Sequence, residues 1–166
     1  MLVDFPLLPA RVRWRISPWR AVAVLLAVLL LLPLMPAAAQ VDDGKVGVVV
    51  KVSGAATAVR NGTQVLLALG DTIKVGDRLE TAPDSALGVT LLDNSLLSLG
   101  PQSTFELTDF VLDPVAGVFS MGGRILNGSI VVTTGEIGKI APENVFFETP
   151  FGIIGIRGTK FAVTVS

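Results

Sequence analysis

The chain has 166 residues with neither histidine nor cysteine, and its 13 basic and 14 acidic side chains give a formal charge of −1 at pH 7. This composition excludes disulfides, thiolate nucleophiles, imidazole bases and lipid attachment at a bacterial lipobox, and it removes the usual zinc ligands. Nucleic-acid binding needs concentrated positive charge, but only nine basic residues, against thirteen acidic ones, follow residue 39. We therefore expect no nucleic-acid partner.

The first 39 residues have the composition of an export signal. Four arginines precede an apolar run over residues 21–36, and three alanines end the segment at Ala39. This order predicts a signal peptide over residues 1–39, cleaved between Ala39 and Gln40. The alternative is a retained membrane anchor, which needs about 20 apolar residues; this run is shorter and ends in prolines. We expect a periplasmic or secreted protein with no stable membrane span after cleavage.

A short polar lead-in over residues 40–45 precedes the first predicted strands. Residues 46–52 are rich in β-branched side chains and predict a strand. Asn61-Gly62 tolerates the positive φ angles of a type I′ turn, which predicts a hairpin between residues 55–60 and residues 63–69. A single β domain is expected to occupy residues 46–166.

The stretch over residues 76–107 is the centre of the predicted sheet. Apolar residues alternate with others over residues 87–91 and again at Leu97 and Leu99, and an Asp93-Asn94-Ser95 corner separates the two runs. Period-two spacing broken by turn residues is typical of short, half-buried strands. The pattern therefore predicts two strands that reverse at this corner.

The C-terminal part of the chain predicts further strands. Asn127-Gly128 predicts a second hairpin, and the glycine, lysine and proline of residues 135–143 predict a loop. The predicted strands here cover residues 108–112, 124–126, 129–133 and 145–149, followed by a last strand that carries Phe161, Val163 and Val165 on one side.

The fold class follows from the spacing of these elements. No window of helical length shows a sustained 3.6-residue pattern, and turn residues recur about every 8–12 positions. We predict an all-β fold, a sandwich-like β-roll of short, mostly antiparallel strands. A short β-solenoid is the alternative, and no clean repeat decides between them.

The order of these motifs resembles the FecR domain, an extracytoplasmic all-β module best known from regulators of iron-uptake signalling. The resemblance covers residues 46–166. Near the C-terminus, the sequence is similar to that of exported bacterial FecR-domain proteins that stand alone. The regulators carry a cytoplasmic sigma-factor-binding segment. Here twenty residues without a helical pattern precede the apolar run, so an anti-sigma activity is not carried over. The positions that carry the resemblance are Gly76, Asp77, Thr81, Asp93, Ser95, Pro150, Arg157, Gly158, Thr159 and Phe161.

Few residues suggest a catalytic, anion-binding or metal-binding role. Asp93 with Glu148 or Asp77 is a conceivable carboxylate pair, but turn-capping and surface roles are favoured. Arg157 lies between apolar residues and is interpreted as a partly buried structural charge, with anion recognition as the alternative. The regularly spaced glycines of residues 152–158 are interpreted as tight corners where backbone approaches closely. We expect no catalytic residue, no cofactor and no metal site.

The predicted function is binding without chemistry. The resemblance implies a sensory or scaffold module in bacterial envelope signalling that binds a ligand or a protein. One alternative is a peptidoglycan- or carbohydrate-binding module, which exposure of Phe146, Phe147 or Phe151 would favour, and a weaker one is a carboxylate-based hydrolase. The last strand is expected to expose a pairing edge, available to an unidentified envelope protein or to self-association.

Overall fold

The computed structural model describes residues 44–156 and 159–166. The predicted signal peptide and its cleavage site between Ala39 and Gln40 lie outside the described residues, as do Arg157 and Gly158. The described strands are β1 (Lys45–Ser53), β2 (Ala56–Arg60), β3 (Thr63–Leu66), β4 (Thr72–Lys74), β5 (Arg78–Thr81), β6 (Ala86–Leu91), β7 (Leu96–Leu99), β8 (Thr104–Asp113), β9 (Val118–Thr133), β10 (Val145–Thr149), β11 (Gly152–Gly155) and β12 (Lys160–Val165).

Two short helices, α1 (Ile137–Ile140) and a 3₁₀ turn (Pro142–Asn144), connect β9 to β10. Neither of these helices, which lie within the described residues, has the length and apolar character that a membrane crossing requires.

Strand β9 joins the two parts of the sheet. Its first part pairs with β8 and, in parallel, with β10, and its last part pairs with β7 and β12. The strand order is β3-β2-β5-β8-β9-β10-β11 through the first part and β4-β1-β6-β7-β9-β12 through the last. The described residues thus form one curled, mostly antiparallel sheet, which confirms the all-β prediction.

The two Asn-Gly pairs behave differently. Asn61 and Gly62 both have positive φ angles, of 50° and 79°, and they close the predicted β2–β3 hairpin. The second predicted hairpin is wrong, because β9 runs straight through Asn127-Gly128. Gly128 has a φ of +84°, but Asn127 is not in the left-handed region. A type I′ turn needs both, so the pair bends the strand without reversing it.

The core lies on the concave side of the sheet and is built from alternate residues of the strands. Phe105 on β8 and Phe147 on β10 are fully buried, with ring centroids 6.1 Å apart, and Phe161 on β12 lies 5.1 Å from Phe147. The Phe105 ring lies against Gly123 of β9, where a Cβ atom would overlap it. This aromatic row joins strands from both parts of the sheet, so its packing stabilises their relative position.

The predicted loop over residues 135–143 contains one turn of helix instead. Ile137 at the start of α1 is fully buried, and the backbone N–H of Glu136 donates to the carbonyl of Asp93 at 2.8 Å. A single turn cannot show helical periodicity in the sequence, and its position depends on contacts with the β6–β7 corner. The prediction of a plain loop is therefore wrong for residues 137–140.

Candidate functional site

Asp77, one of the positions that carry the resemblance, is fully buried and stabilises the fold. Its carboxylate accepts hydrogen bonds from Nε and a terminal nitrogen of Arg60 at 2.7 and 2.6 Å, and from the backbone N–H of Lys74 at 2.8 Å. The neighbouring Gly76, with a φ of +86°, donates its N–H to the carbonyl of Leu107. A buried carboxylate needs such partners, so Asp77 holds the β4–β5 turn to β2. The role of Arg60 was not predicted, because seventeen residues separate it from Asp77 along the chain.

Thr81 fastens β5 to the corner between β7 and β8. Its hydroxyl donates to the carbonyl of Gly100 at 2.6 Å and accepts from the backbone N–H of Ser103 at 2.9 Å. The hydroxyl of Ser103 in turn donates to the carbonyl of Ser129 and accepts from its N–H, both at 3.0 Å. These bonds hold the point at which β9 bends, and their function is structural.

Asp93 and Ser95 form a second buried anchor at the β6–β7 corner. The Asp93 carboxylate accepts from the backbone N–H of Ser95 at 2.9 Å, from its hydroxyl at 2.7 Å and from the N–H of Ile137 at 3.3 Å. The Ser95 hydroxyl also accepts from the N–H of Gly135 at 2.8 Å. Both side chains are fully buried. The predicted turn-capping role of Asp93 is confirmed, and it extends to Ile137 in α1, 44 positions along the chain.

The carboxylates considered for hydrolysis have separate structural partners. Asp77 pairs with Arg60, and Asp93 caps the β6–β7 corner, as described above. Glu148 on β10 instead accepts from Nε of Arg124 on β9 at 3.0 Å, on the outer face of the sheet. Among the described residues, no three acidic side chains converge as a metal site.

The remaining signature positions lie near the C-terminus. Pro150 occupies the exposed turn between β10 and β11, and Phe161 packs against Phe147 in the core. The carbonyl of Thr159 accepts a hydrogen bond from the N–H of Thr134 at 2.9 Å, which fixes the start of β12. Arg157 and Gly158 lie outside the described residues, so the interpretation of Arg157 stays a prediction.

One open pocket of about 420 Å³ lies beside β1 and β4. Two lysines and no acid line it, together with apolar side chains. The lining residues are Gly44, Lys45, Val46, Lys74, Val75, Leu92, Phe110 and Leu112. A pocket without facing acids does not supply the geometry of a carboxylate-based hydrolase.

The hairpin formed by β10 and β11 is the candidate binding surface, and we call it the β10–β11 hairpin. Within the described part of the chain β11 pairs only with β10, so its other edge carries backbone donors and acceptors without a strand partner. Phe151 in the turn is 81% exposed, and Ile153 on β11 is 73% exposed. The hairpin therefore combines an open strand edge with apolar side chains in solvent, an arrangement suited to binding a polypeptide.

Paired charges border this apolar surface. Arg124 on β9 contacts Glu148 on β10 and, at 3.5 Å, Glu106 on β8, so the charges alternate across three neighbouring strands. Ile153 is the next residue in this row, as the register partner of Glu148 on β11. The outer face thus changes from paired charges to apolar side chains at its last strand. Sequence periodicity missed this change, because it does not reveal which strand is the last of its row.

Of the three phenylalanines that bear on carbohydrate binding, only Phe151 is exposed. Phe147 is fully buried in the core, and Phe146 is half-buried with its ring over Gly122 of β9. Sugar-binding surfaces rely on exposed aromatic platforms, and one exposed ring is a small platform.

Strand β12 also forms an edge, as the sequence predicted. In the described residues it pairs with β9 alone. Its exposed residues are Lys160, Ala162 and Thr164, while Phe161 and Val163 are half-buried and Val165 is buried. An outward lysine on an edge strand opposes pairing with other chains, so β11 is the more exposed apolar edge of the two.

Comparisons with known proteins identify the family. No curated protein matches the chain. A solved structure described as a cell surface anchoring domain is similar at 29% identity, covering 39% of this chain and 87% of that one, with a TM-score of 0.38. A family model described as FecR protein matches residues 77–166. The match begins later than residue 46, where the sequence analysis placed the start of the resemblance. Strands β1–β4, which precede the matched residues, belong to the same sheet. Because the match spans more than half of the 166 residues, the chain belongs to the FecR family and is a module associated with the cell envelope.

Proposed function

We propose that this FecR-family domain is a non-catalytic module of the bacterial cell envelope, exported by its N-terminal leader, that binds a protein partner through the β10–β11 hairpin. The observation that carries the proposal is the open edge of β11 with Phe151 and Ile153 exposed beside it. An extended polypeptide segment adds to such an edge by backbone hydrogen bonds, and the apolar side chains add affinity.

The rest of the domain supports a role as a scaffold for this edge. The buried polar side chains are engaged in hydrogen bonds that hold turns and corners, and among the described residues no buried side-chain nitrogen or oxygen lacks a partner. These hydrogen bonds give the groups a structural role, which supports the proposal of a non-catalytic module. A rigid sheet that offers one apolar edge suits a sensory or scaffold module in envelope signalling, the role that the FecR resemblance implies.

Site-specific crosslinking in the native envelope tests the proposal. A photo-crosslinking residue at Ile153 should capture a protein partner, whereas the same residue at Val115, which is 99% exposed in the β8–β9 turn, should not. Ile153→Asp should abolish capture by a crosslinker at residue 151, because a charge on the binding edge opposes burial. Equal capture at both positions, or capture that survives Ile153→Asp, would contradict the proposal.

A carbohydrate-binding role is the second candidate, and the exposure of Phe151 is the observation that favours it. Pull-down with purified peptidoglycan tests it directly. If Phe151 stacks on a sugar, retention should be lost in Phe151→Ser and kept in Val115→Ser, which removes an exposed apolar side chain elsewhere.

A further inference from the structure

No described residue explains why Gly155, the last residue of β11, is glycine. Its φ is not in the left-handed region, and a Cβ atom built there would meet no described atom within 4 Å. Gly122 and Gly123 on β9 differ, because a Cβ there would overlap the rings of Phe146 and Phe105. The interpretation of Gly155 as a tight corner is therefore wrong for the described residues. Glycine in a strand also marks a place where another backbone approaches closely, and no described residue of this chain occupies that place at Gly155.

The edge that carries Gly155 lacks the charged side chains that keep identical strands apart. Residues 150–156 contain no charged side chain, and no proline or lysine interrupts β11. Natural edges are usually protected by such residues. Two copies of this segment therefore meet no like-charge repulsion when they approach each other.

The order of residues in this segment is self-complementary. If two copies run antiparallel with Ile153 at the two-fold axis, Ile153 faces Ile153 of the second copy. Gly152 then faces Ile154, and Phe151 faces Gly155. Each large side chain outside the axis thus meets a glycine across the strands. The molecule already uses this combination internally, since Phe146 on β10 lies over its register partner Gly122 on β9.

We propose that β11 pairs antiparallel with β11 of a second copy of this chain, centred on Ile153. The pairing continues the sheet across the two-fold axis by backbone hydrogen bonds, and it covers the exposed Phe151 and Ile153 of both copies. An isologous interface of this kind closes at two copies and does not propagate into a fibre.

The dimer is weak and reversible. Pairing over residues 151–155 is small beside the roughly 1,200–2,000 Å² that a stable interface buries. Because the proposed function uses the same edge for a protein partner, the dimer also competes with partner binding. The pairing itself does not depend on that function, but this regulatory consequence does.

The absence of cysteine makes a direct test possible, because any introduced thiol is unique. Ile153→Cys, in protein purified from cells expressing the full chain, places two thiols opposite each other at the axis, within disulfide reach across an antiparallel pair. The control is Leu69→Cys, since Leu69 has the same 73% exposure and lies in the β3–β4 loop. We expect the Ile153→Cys dimer to form faster by about tenfold or more, owing to the raised effective concentration. Equal rates would overturn the proposal.

Mixing experiments test the register and the chemistry of the pairing. Phe151→Cys and Gly155→Cys should crosslink to each other when mixed, and each alone should crosslink poorly. In sedimentation velocity from micromolar to millimolar concentration, the wild-type chain should self-associate, while Ile153→Lys and Ile153→Glu should each remain monomeric. A mixture of these two should associate again, because opposite charges then face each other at the axis. A dimer that persists in Ile153→Lys uses another surface, such as β12, and overturns the proposal.

The outcomes also separate this inference from the proposed function. A monomeric protein that still captures a partner through residue 153 would refute the self-pairing and leave the function standing. A dimer centred on Ile153 that captures no envelope protein would support the self-pairing and refute the function.

Discussion

The β6–β7 corner and the β10–β11 hairpin are both short chain reversals at the rim of one sheet, yet their residues are used in opposite ways. At the corner, a carboxylate and a hydroxyl are fully buried, and their hydrogen bonds tie Asp93 and Ser95 to α1. At the hairpin, Phe151 and Ile153 are exposed, and a Cβ atom at Gly155 would meet no described atom within 4 Å. Buried polar groups with full sets of partners belong to the stability of the fold, whereas exposed apolar groups at an open edge are available for binding.

The largest effect is expected at the corner. Asp93→Ala removes the acceptor for three donors, the N–H and hydroxyl of Ser95 and the N–H of Ile137. Because buried donors without acceptors are costly, the free energy of unfolding should fall by about 3 kcal/mol or more. Chemical denaturation measures the change.

Asp113→Ala is the matched control for that substitution. Asp113 also caps a turn, accepting from the N–H groups of Val115 and Ala116, but it does so in solvent. Water replaces these bonds, so the loss should be about 1 kcal/mol or less. Similar losses at both positions would show that burial does not set the difference.

A smaller effect is expected where a glycine makes room for the core. Gly123→Ala places a Cβ atom against the ring of Phe105, which is fully buried and packs against Phe147. Overpacking of this kind should lower the free energy of unfolding by about 2 kcal/mol. Unchanged stability in thermal and chemical denaturation would mean that the aromatic row has room to shift.

The hairpin should show the smallest effect on stability. Gly155→Ala adds a methyl group where no described atom lies within 4 Å, and its backbone is not in the left-handed region. The expected change is within about 0.5 kcal/mol in either direction. Ile153→Thr, at an exposed strand position, should also be near neutral for stability while weakening self-association. A large loss of stability in either variant would place the hairpin with the corner as a structural element.

Local sequence signals predicted the features whose causes are local. Asn61-Gly62 closes a hairpin because both residues adopt positive φ angles, and Asp93 caps its own corner within two residues. Asn127-Gly128 carries the same signal, but β9 continues because β7 and β8 pair with the residues on either side of it. The pairing of whole strands decided between a turn and a bend, and a dipeptide does not contain that information.

The parts of the site that the sequence did not reveal depend on distant contacts. Arg60 is ordinary in the sequence and becomes the partner of Asp77 only when β2 pairs with β5. The exposure of Ile153 depends on β11 being the last strand of its row, and strand order cannot be read from alternation. Phe147 and Phe151 are both plausible surface aromatics in the sequence, and only the fold separates the buried ring from the exposed one.

The position of β9 along the chain sets the order in which the domain can mature. Strands β1 to β8 are synthesised first, but among the described strands only β9 pairs with both β7, at the end of β4-β1-β6-β7, and β8, at the end of β3-β2-β5-β8. The chain must therefore be synthesised through residue 133, the end of β9, before the two rows of strands can pair through it. Until then the emerging polypeptide lacks the strand that pairs with both rows, so its sheet stays incomplete through most of its synthesis.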